Sequence, residues 1–427
     1  MINSNCLRLR IRPVYIVVLL AFLLDTNFLM LIPLPGILLQ VNSFVNKYLI
    51  ACLAIVLTIY LYKYAHRVLK HNKTASFFAI MLIFSLLFES LVSMIIYNET
   101  FFDVFTSWHH YLVILLAFPL MYIVETYGID ALIKPILLLS IAYCFLCIIQ
   151  EIVYLKSGAI ILKGLTEYDY SFRNAHIRLR GSNFHMFAYI ILCAKFSSAK
   201  QKEKRLMYGL GIAVELFTQI FAYITRSWQV IYVAVLAVIF ILSKRKAKSM
   251  RVIILITLIC VALQFFDISS FLESFSTNSV MGTGLSTSNR LEAISYFWGV
   301  FMKSPLYGNG FIRDARVDLF RTLHGSKGTY AYSDVGIIGL LGETGIIGVL
   351  LYLGFVCVIY KRYTFIRKHN SFSEYELGLI SGLLFFLLFT TPTLIVTNPE
   401  NIIDIPIIVA LSFGIRGRKR VVASEIS

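Results

Sequence analysis

Residues 75–97 read ASFFAIMLIFSLLFESLVSMIIY, twenty-three residues with one charge, Glu89. A helix needs about 20 mostly apolar residues to cross a bilayer, and this stretch meets the requirement alone. The rest of the chain repeats the pattern. Twelve such stretches are expected, near 14–33, 47–62, 75–97, 106–124, 132–154, 183–197, 206–224, 228–243, 252–267, 336–360, 376–397 and 401–415. Those at 183–197 and 401–415 are short, so eleven or ten spans remain open. Of the 427 residues 58% are apolar and 15% charged, and mean hydropathy is +0.78. A soluble protein carries about 25% charge, so a soluble enzyme, a nucleic-acid binder and a disulfide-rich secreted module are excluded. Unbroken apolar runs, rather than alternation over about ten residues, point to helices and not to barrel strands. The fold class expected is an all-α polytopic membrane protein with about 12 transmembrane helices and a large outer loop.

The net charge of +16 is unevenly placed. Loops on one side hold 26 of the 39 Lys and Arg residues, among them Arg8, Arg10 and Arg12, the cluster Lys244–Arg251, and the tail Arg416–Arg420. The positive-inside tendency makes that side cytoplasmic, with both termini inside. The N-terminal segment has the Arg-then-apolar order of a signal peptide but no clear small-x-small site, and reads as a retained first helix. The other side holds 13, five of them in 156–182 and six in 268–335. Outer loops that keep positive charge suggest anion binding; ordinary surface charge on long loops is the plainer alternative. The chain then divides into 1–155, an N-terminal bundle; 156–182, a basic outer loop; 183–267, central helices; 268–335, the large outer loop; and 336–427, C-terminal helices with a basic tail.

Cytoplasmic loops are too short for a nucleotide-binding domain, and neither GxxxxGK[ST] nor GxGxxG after a strand occurs. Chemistry is therefore expected on the outer face, where the long loops lie. None of the seven cysteines falls in those loops. Cys144 and Cys147 form a C-x-x-C inside an expected span and read as packing residues. HExxH, Cys/His zinc spacing and Asp-x-Asp are all missing, so metal-independent chemistry without a cofactor is expected.

Five segments carry candidate residues. Arg178-Leu-Arg180-Gly-Ser-Asn183 precedes an expected helix, which Ser182 or Asn183 would cap; its N-terminus and the two arginines suit an anion. Thr225-Arg226-Ser227-Trp228 puts an arginine at the membrane boundary, with Glu215 about 16 Å away along the helix, too far to pair. Ser288-Asn-Arg290-Leu-Glu292 opens an amphipathic surface helix over 290–303, which Pro305 and Gly308 end. Arg321-Thr-Leu-His324 and Tyr330-Ala-Tyr332-Ser-Asp334 supply acid/base candidates, foremost His324. Gly336, Gly339, Gly342, Gly345 and Gly348 recur at every third position around Glu343, allowing close helix contact or a local break.

In that order, RLRGSN, TRSW, SNRLE with its following Trp, PLYGNG and SDVGIIGLLGETGIIG resemble the bacterial O-antigen polymerase and O-antigen ligase superfamily. Ligase-like members often carry His-Asn or His-Ser before the glycine-rich helix; here Tyr332-Ser333-Asp334 stands there, with His324 eight residues earlier than Tyr332, a pattern closer to the polymerases. The resemblance implies a GT-C-like membrane glycosyltransferase in the bacterial inner membrane. Its donor would be a sugar chain on undecaprenyl pyrophosphate, and its acceptor the next lipid-linked repeat. The lipid bilayer, a flippase and a chain-length regulator would be its partners. It further implies that Arg178, Arg180, Arg226 and Arg290 hold pyrophosphate and that His324 or Asp334 takes the acceptor proton. Tyr330, Tyr332 and Glu292 would line the sugar groove, Glu292 also orienting Arg290. The rival activities are the ligase, which transfers polymer to lipid A core, and a lipid-linked oligosaccharide flippase. An epitope inserted within 268–335 is expected to be labelled from the outer face of intact spheroplasts; labelling only after permeabilisation would reverse the topology.

Overall fold

The computed structural model describes residues 13–26, 28, 43–162, 170–173, 176–179, 183–223, 226–242, 283–313, 316–369, 371–393 and 395–415. The expected span 252–267, the end of the first span, Arg180 and Ser182 lie outside the described residues; so do the side chains of Arg178 and Arg226.

The described residues are overwhelmingly helical. α1 (Pro13–Asp25), α2 (Ser43–Tyr60), α3 (Tyr62–His71) and α4 (Lys73–Tyr97) come first. α5 (Phe101–Trp108), a 3-10 stretch (His109–Leu116) and α6 (Ala117–Tyr127) form one continuous rod, followed by α7 (Asp130–Ser157). A small antiparallel hairpin, β1 (Tyr170–Arg173) and β2 (His176–Leu179), occupies the first basic loop, pairing Ser171 with Arg178. α8 (Phe184–Ser198), α9 (Lys202–Thr218), a π turn (Gln219–Tyr223) and α10 (Arg226–Leu242) form the centre. α11 (Thr283–Lys303) and the short α12 (Phe320–His324) lie in the second loop, before α13 (Gly336–Lys368), α14 (Glu374–Thr390) and α15 (Asp404–Gly414).

Among the described residues, five helices are long and apolar enough to cross a bilayer: Lys73–Tyr97, Phe101–Tyr127, Asp130–Ser157, Lys202–Tyr223 and Gly336–Lys368. The expected span 47–62 is helical as α2 up to Tyr60, where the chain bends by 81° into α3, because after Tyr60 the pattern changes to the basic YKYAHRVLKH. The expected span 376–397 stops at Thr390, where Thr391-Pro392-Thr393 turns. As their length suggested, 183–197 and 401–415 form short helices, α8 and α15.

The packing is that of a multi-pass membrane protein. On α4, Phe77, Ile80, Phe84, Leu87, Leu91 and Ile95 form an exposed stripe at helical spacing, with Ile95 79% exposed. The opposite face of the same helix buries Ser85, Glu89, Ser90 and Ser93. Apolar outside and polar inside inverts the amphipathicity of a water-facing helix and fits a helix surrounded by lipid. α8 is buried almost throughout and packs against α7, α9, α10 and α14. Chain composition thus sets the helices, while close packing around α8 sets their arrangement.

The glycine-rich α13 is broken at Gly345, whose φ of 59° lies in the left-handed region. The break frees backbone groups that lipid cannot satisfy, and the PLYGNG loop satisfies them. Asn309 N–H donates to Gly342 O at 2.7 Å, Gly310 N–H to Glu343 O at 2.8 Å, and Ile346 N–H to Pro305 O at 2.9 Å. A Cβ on Gly345 would collide with the backbone of Leu306 and Tyr307. Gly345→Val is therefore expected to destabilise the detergent-solubilised protein by at least about 1–3 kcal/mol from dihedral strain alone. Gly299→Ala, where an added Cβ meets nothing within 4 Å, should melt no earlier than wild type. Equal melting temperatures for Gly345→Val and wild type would show that the interlock contributes little.

Candidate functional site

α11 is longer than the sequence pattern suggested, and its apolar residues point two ways. Ala293 and Phe297 are buried against Tyr330 and Val335. Leu291, Ile294, Trp298 and Met302 are exposed in a helical stripe, the face an interfacial helix turns to lipid. On the inner side, Tyr296 Oη donates to Thr322 O at 2.7 Å, and Asn309 Nδ2 donates to the same carbonyl at 2.8 Å. These bonds tie α12 to α11 and to the PLYGNG loop. Neither Tyr296 nor Asn309 stands out in the sequence, because their partner is a backbone carbonyl with no sequence signature.

His324 ends α12. Its Nδ1 lies 3.0 Å from Tyr330 O. A carbonyl only accepts, so Nδ1 carries the proton and donates. In the neutral ring, Nε2 then keeps its lone pair, the arrangement a general base needs. Tyr330 N–H returns a bond to His324 O at 3.0 Å, so residues 324–330 close on themselves.

Glu292 is held on this loop and not on Arg290. Tyr330 Oη donates to Glu292 Oε2 at 2.7 Å, and Lys327 Nζ reaches the same carboxylate at 2.6 Å. The hydrogen bond to Glu292 raises the pKa of both the Lys327 ammonium and the Tyr330 hydroxyl. Tyr330 is buried, 6% exposed, and Tyr332 packs beside it in the 3-10 turn Tyr332–Asp334. Asp334 is exposed.

The basic residues of the second loop divide into two groups. Arg313 pairs with Asp103 at 2.5 Å, Arg316 with Asp318 at 2.6 Å, and Lys327 with Glu292. The Arg316 guanidinium pulls the Asp318 carboxyl down to about 2. Burial pushes Glu99 upward, against the opposing bond from Arg313 N–H. Arg290, Lys303 and Arg321 form no ion pair among the described residues, and Arg290 and Arg321 are exposed. Arg313 thus ties the loop to the bundle through Asp103, Arg316 and Lys327 brace it internally through Asp318 and Glu292, and the other three cations stay outside any ion pair among the described residues.

Two bonds link this loop to the arginine-bearing segment before α8. Asn183 does not cap α8; its Nδ2 donates to Asp404 Oδ2 at 2.6 Å, since a buried carboxylate draws the nearest donor. Asn398 Nδ2 donates to Ser333 O at 2.9 Å. The turn 395–404 thereby joins Asn183, which follows Arg178 and Arg180, to Ser333, which precedes Asp334. Lys47 stands at the same place, with Nζ 2.7 Å from Asp25 Oδ1 and 3.2 Å from Glu400 O. β2, which carries Arg178, packs on the π turn Gln219–Tyr223 just before Arg226.

A lipid-embedded helical bundle with a basic, hydrogen-bonded cap defines a multi-pass membrane protein. Residues 186–353 match the family model described as O-Antigen ligase, in agreement with the superfamily that the motifs resemble. The matched stretch contains Arg226, Arg290, Glu292, His324, Tyr330, Tyr332 and Asp334, with Arg178 and Arg180 just before it. No curated protein matches the chain.

Tyr330→Phe is expected to speed amide hydrogen exchange across residues 320–331, because it leaves a part-buried carboxylate short of a donor. Lys327→Ala, which removes only an exposed ion pair, should leave that exchange unchanged. Equal exchange in the two variants would remove the Tyr330–Glu292 bond as the tie that holds His324.

Proposed function

We propose that the chain is a metal-independent glycosyltransferase that polymerises undecaprenyl-pyrophosphate-linked oligosaccharide repeats at the periplasmic face of the bacterial inner membrane. The observation that supports this most is the pair of bonds Asn183–Asp404 and Asn398–Ser333. Through one turn they tie Asn183, which follows Arg178 and Arg180 in sequence, to Ser333, which precedes Asp334. An anion clamp and an acid/base loop are what a transfer from a pyrophosphate donor requires.

In this reading the acceptor hydroxyl attacks the anomeric carbon of the donor sugar. The bond from that carbon to the pyrophosphate oxygen breaks, and the electron pair leaves with the lipid-borne pyrophosphate. Arg178, Arg180, Arg226 and Arg290 hold the developing charge. The hydroxyl proton passes to His324 Nε2, with Asp334 as the other acid/base group at the same loop. Tyr330, Tyr332 and Glu292 shape the loop against which the sugar lies. Holding both substrates makes the step effectively unimolecular. The apolar stripe of α11 seats this cap at the lipid surface, where the carrier headgroup arrives.

The description of the matching family favours a second reading, transfer of finished polymer to lipid A core. Surface polysaccharide from a deletion strain separates the two on a gel. Loss of a polymerase leaves core bearing a single repeat; loss of a ligase leaves bare core with polymer accumulating on the carrier lipid. Loss of a flippase would trap single repeats on the cytoplasmic side. In the complemented strain, Arg180→Ala, Arg226→Ala and Arg290→Ala are each expected to reduce chain extension about 100-fold or more, with protein level unchanged. His324→Ala should reduce it about 100-fold to 10,000-fold. Full ladders from all three arginine variants would end the clamp assignment, and wild-type extension by His324→Ala would move the base elsewhere.

A further inference from the structure

Cys144, His185 and Glu215 are distant in sequence and adjacent in space. α7, α8 and α9 each contribute one of them to a buried cluster, with Cys144 0%, His185 1% and Glu215 1% exposed. Cys144 Sγ lies 3.3 Å from Glu215 Oε2 and 3.6 Å from His185 Nδ1, and His185 Nδ1 lies 3.5 Å from Glu215 Oε2. We propose that these three side chains bind one divalent transition ion of the zinc class.

The triangle has the right size. Ligands about 2.0–2.3 Å from a tetrahedral centre stand about 3.3–3.6 Å from one another. His185 Nδ1 is approached at once by Ser140 Oγ at 2.6 Å, by Glu215 Oε2 and by Cys144 Sγ. One ring nitrogen has a single in-plane proton or lone pair, so it serves only one of these neighbours. A cation at the centre of the triangle uses all three ligand atoms.

Charge points the same way. Glu215 forms no ion pair with Lys or Arg among the described residues. A thiolate, a carboxylate and a neutral imidazole around a doubly charged ion sum to zero, the total that a low-dielectric interior tolerates best. Binding releases the thiol proton. The mixed sulfur, nitrogen and oxygen donors suit zinc-class ions and not magnesium or calcium. Ser140 Oγ donates to Glu215 Oε1 at 2.5 Å, which orients the carboxylate and leaves Oε2 for the ion. Three protein ligands leave the fourth position of a tetrahedral ion to a small ligand such as water, on the side that Ser140 lines. The site fixes α7, α8 and α9 two residues beyond Asn183, beneath the arginine-bearing segment.

The test uses full-length, tag-free protein in detergent, stripped with chelator, loaded with Zn²⁺ or Co²⁺ and desalted. One ion per chain is expected by mass spectrometry. X-ray absorption at the zinc edge of wild-type protein should show one sulfur at about 2.3 Å among lighter ligands at about 2.0–2.1 Å. Cobalt loading should produce a thiolate charge-transfer band that Cys144→Ser abolishes and Cys52→Ser, on exposed Cys52, retains. His185→Gln should weaken retention at least about tenfold. Wild-type protein that stays metal-free, a zinc shell without sulfur, or a cobalt band unchanged in Cys144→Ser would each overturn the proposal. The first two outcomes require no variant to fold.

Discussion

At Gly345 a helix breaks inside an apolar stretch, and the loop before it fills the gap with its own backbone. In water such a break would cost little, since solvent would bond the freed groups. In hydrocarbon each unsatisfied group costs several kcal/mol. The bonds from Asn309 and Gly310 to Gly342 and Glu343, and from Ile346 to Pro305, are therefore a condition of the fold. Only glycines let the two backbones come so close: a side chain on Gly308 would meet the Gly342 carbonyl, and one on Gly345 the backbone of Leu306. PLYGNG and GLLGETG are the two halves of one joint.

The cap is positioned from this joint. It fixes the end of α11, and α11 holds α12 through Tyr296. Asn309, inside the joint, reaches the same carbonyl of α12. His324 then takes its orientation from the Tyr330 carbonyl, and Tyr330 is tied back to α11 by Glu292. A second chain of bonds, through Asn398 and Asp404, joins the cap to the segment before α8. Four of these six bonds run from a side chain to a backbone carbonyl, and the other two end on the carboxylates of Glu292 and Asp404.

Electrostatics has a different task. The carboxylates of Asp103, Asp318 and Glu292 neutralise three of the cations in the second basic loop: Arg313–Asp103 ties the loop to α5, while Arg316–Asp318 and Lys327–Glu292 brace the loop within itself. Counting arginines in the sequence treats all of them as anion ligands; contacts separate those that hold the loop from those left for a ligand. The same holds for Glu292, which lies two residues from Arg290 and yet is bound to Tyr330 and Lys327. Neighbours in sequence on a helix point about 100° apart per residue, and proximity along the chain does not imply a pair.

Composition and periodicity alone determined that this chain is a helical membrane protein. A run such as 75–97 has no other stable state, because lipid admits no unpaired backbone. They also marked the short helices at 183–197 and 401–415 and the glycine spacing that permits a break. What only the tertiary structure decided are relations between distant residues: the bend after Tyr60, the Asn183–Asp404 bond in place of a helix cap, and the meeting of Cys144, His185 and Glu215. Local pattern reflects the solvent each residue faces and the turn it can make. Which carboxylate meets which donor depends on how helices stack, and stacking sums many weak contacts over separations that no local pattern records.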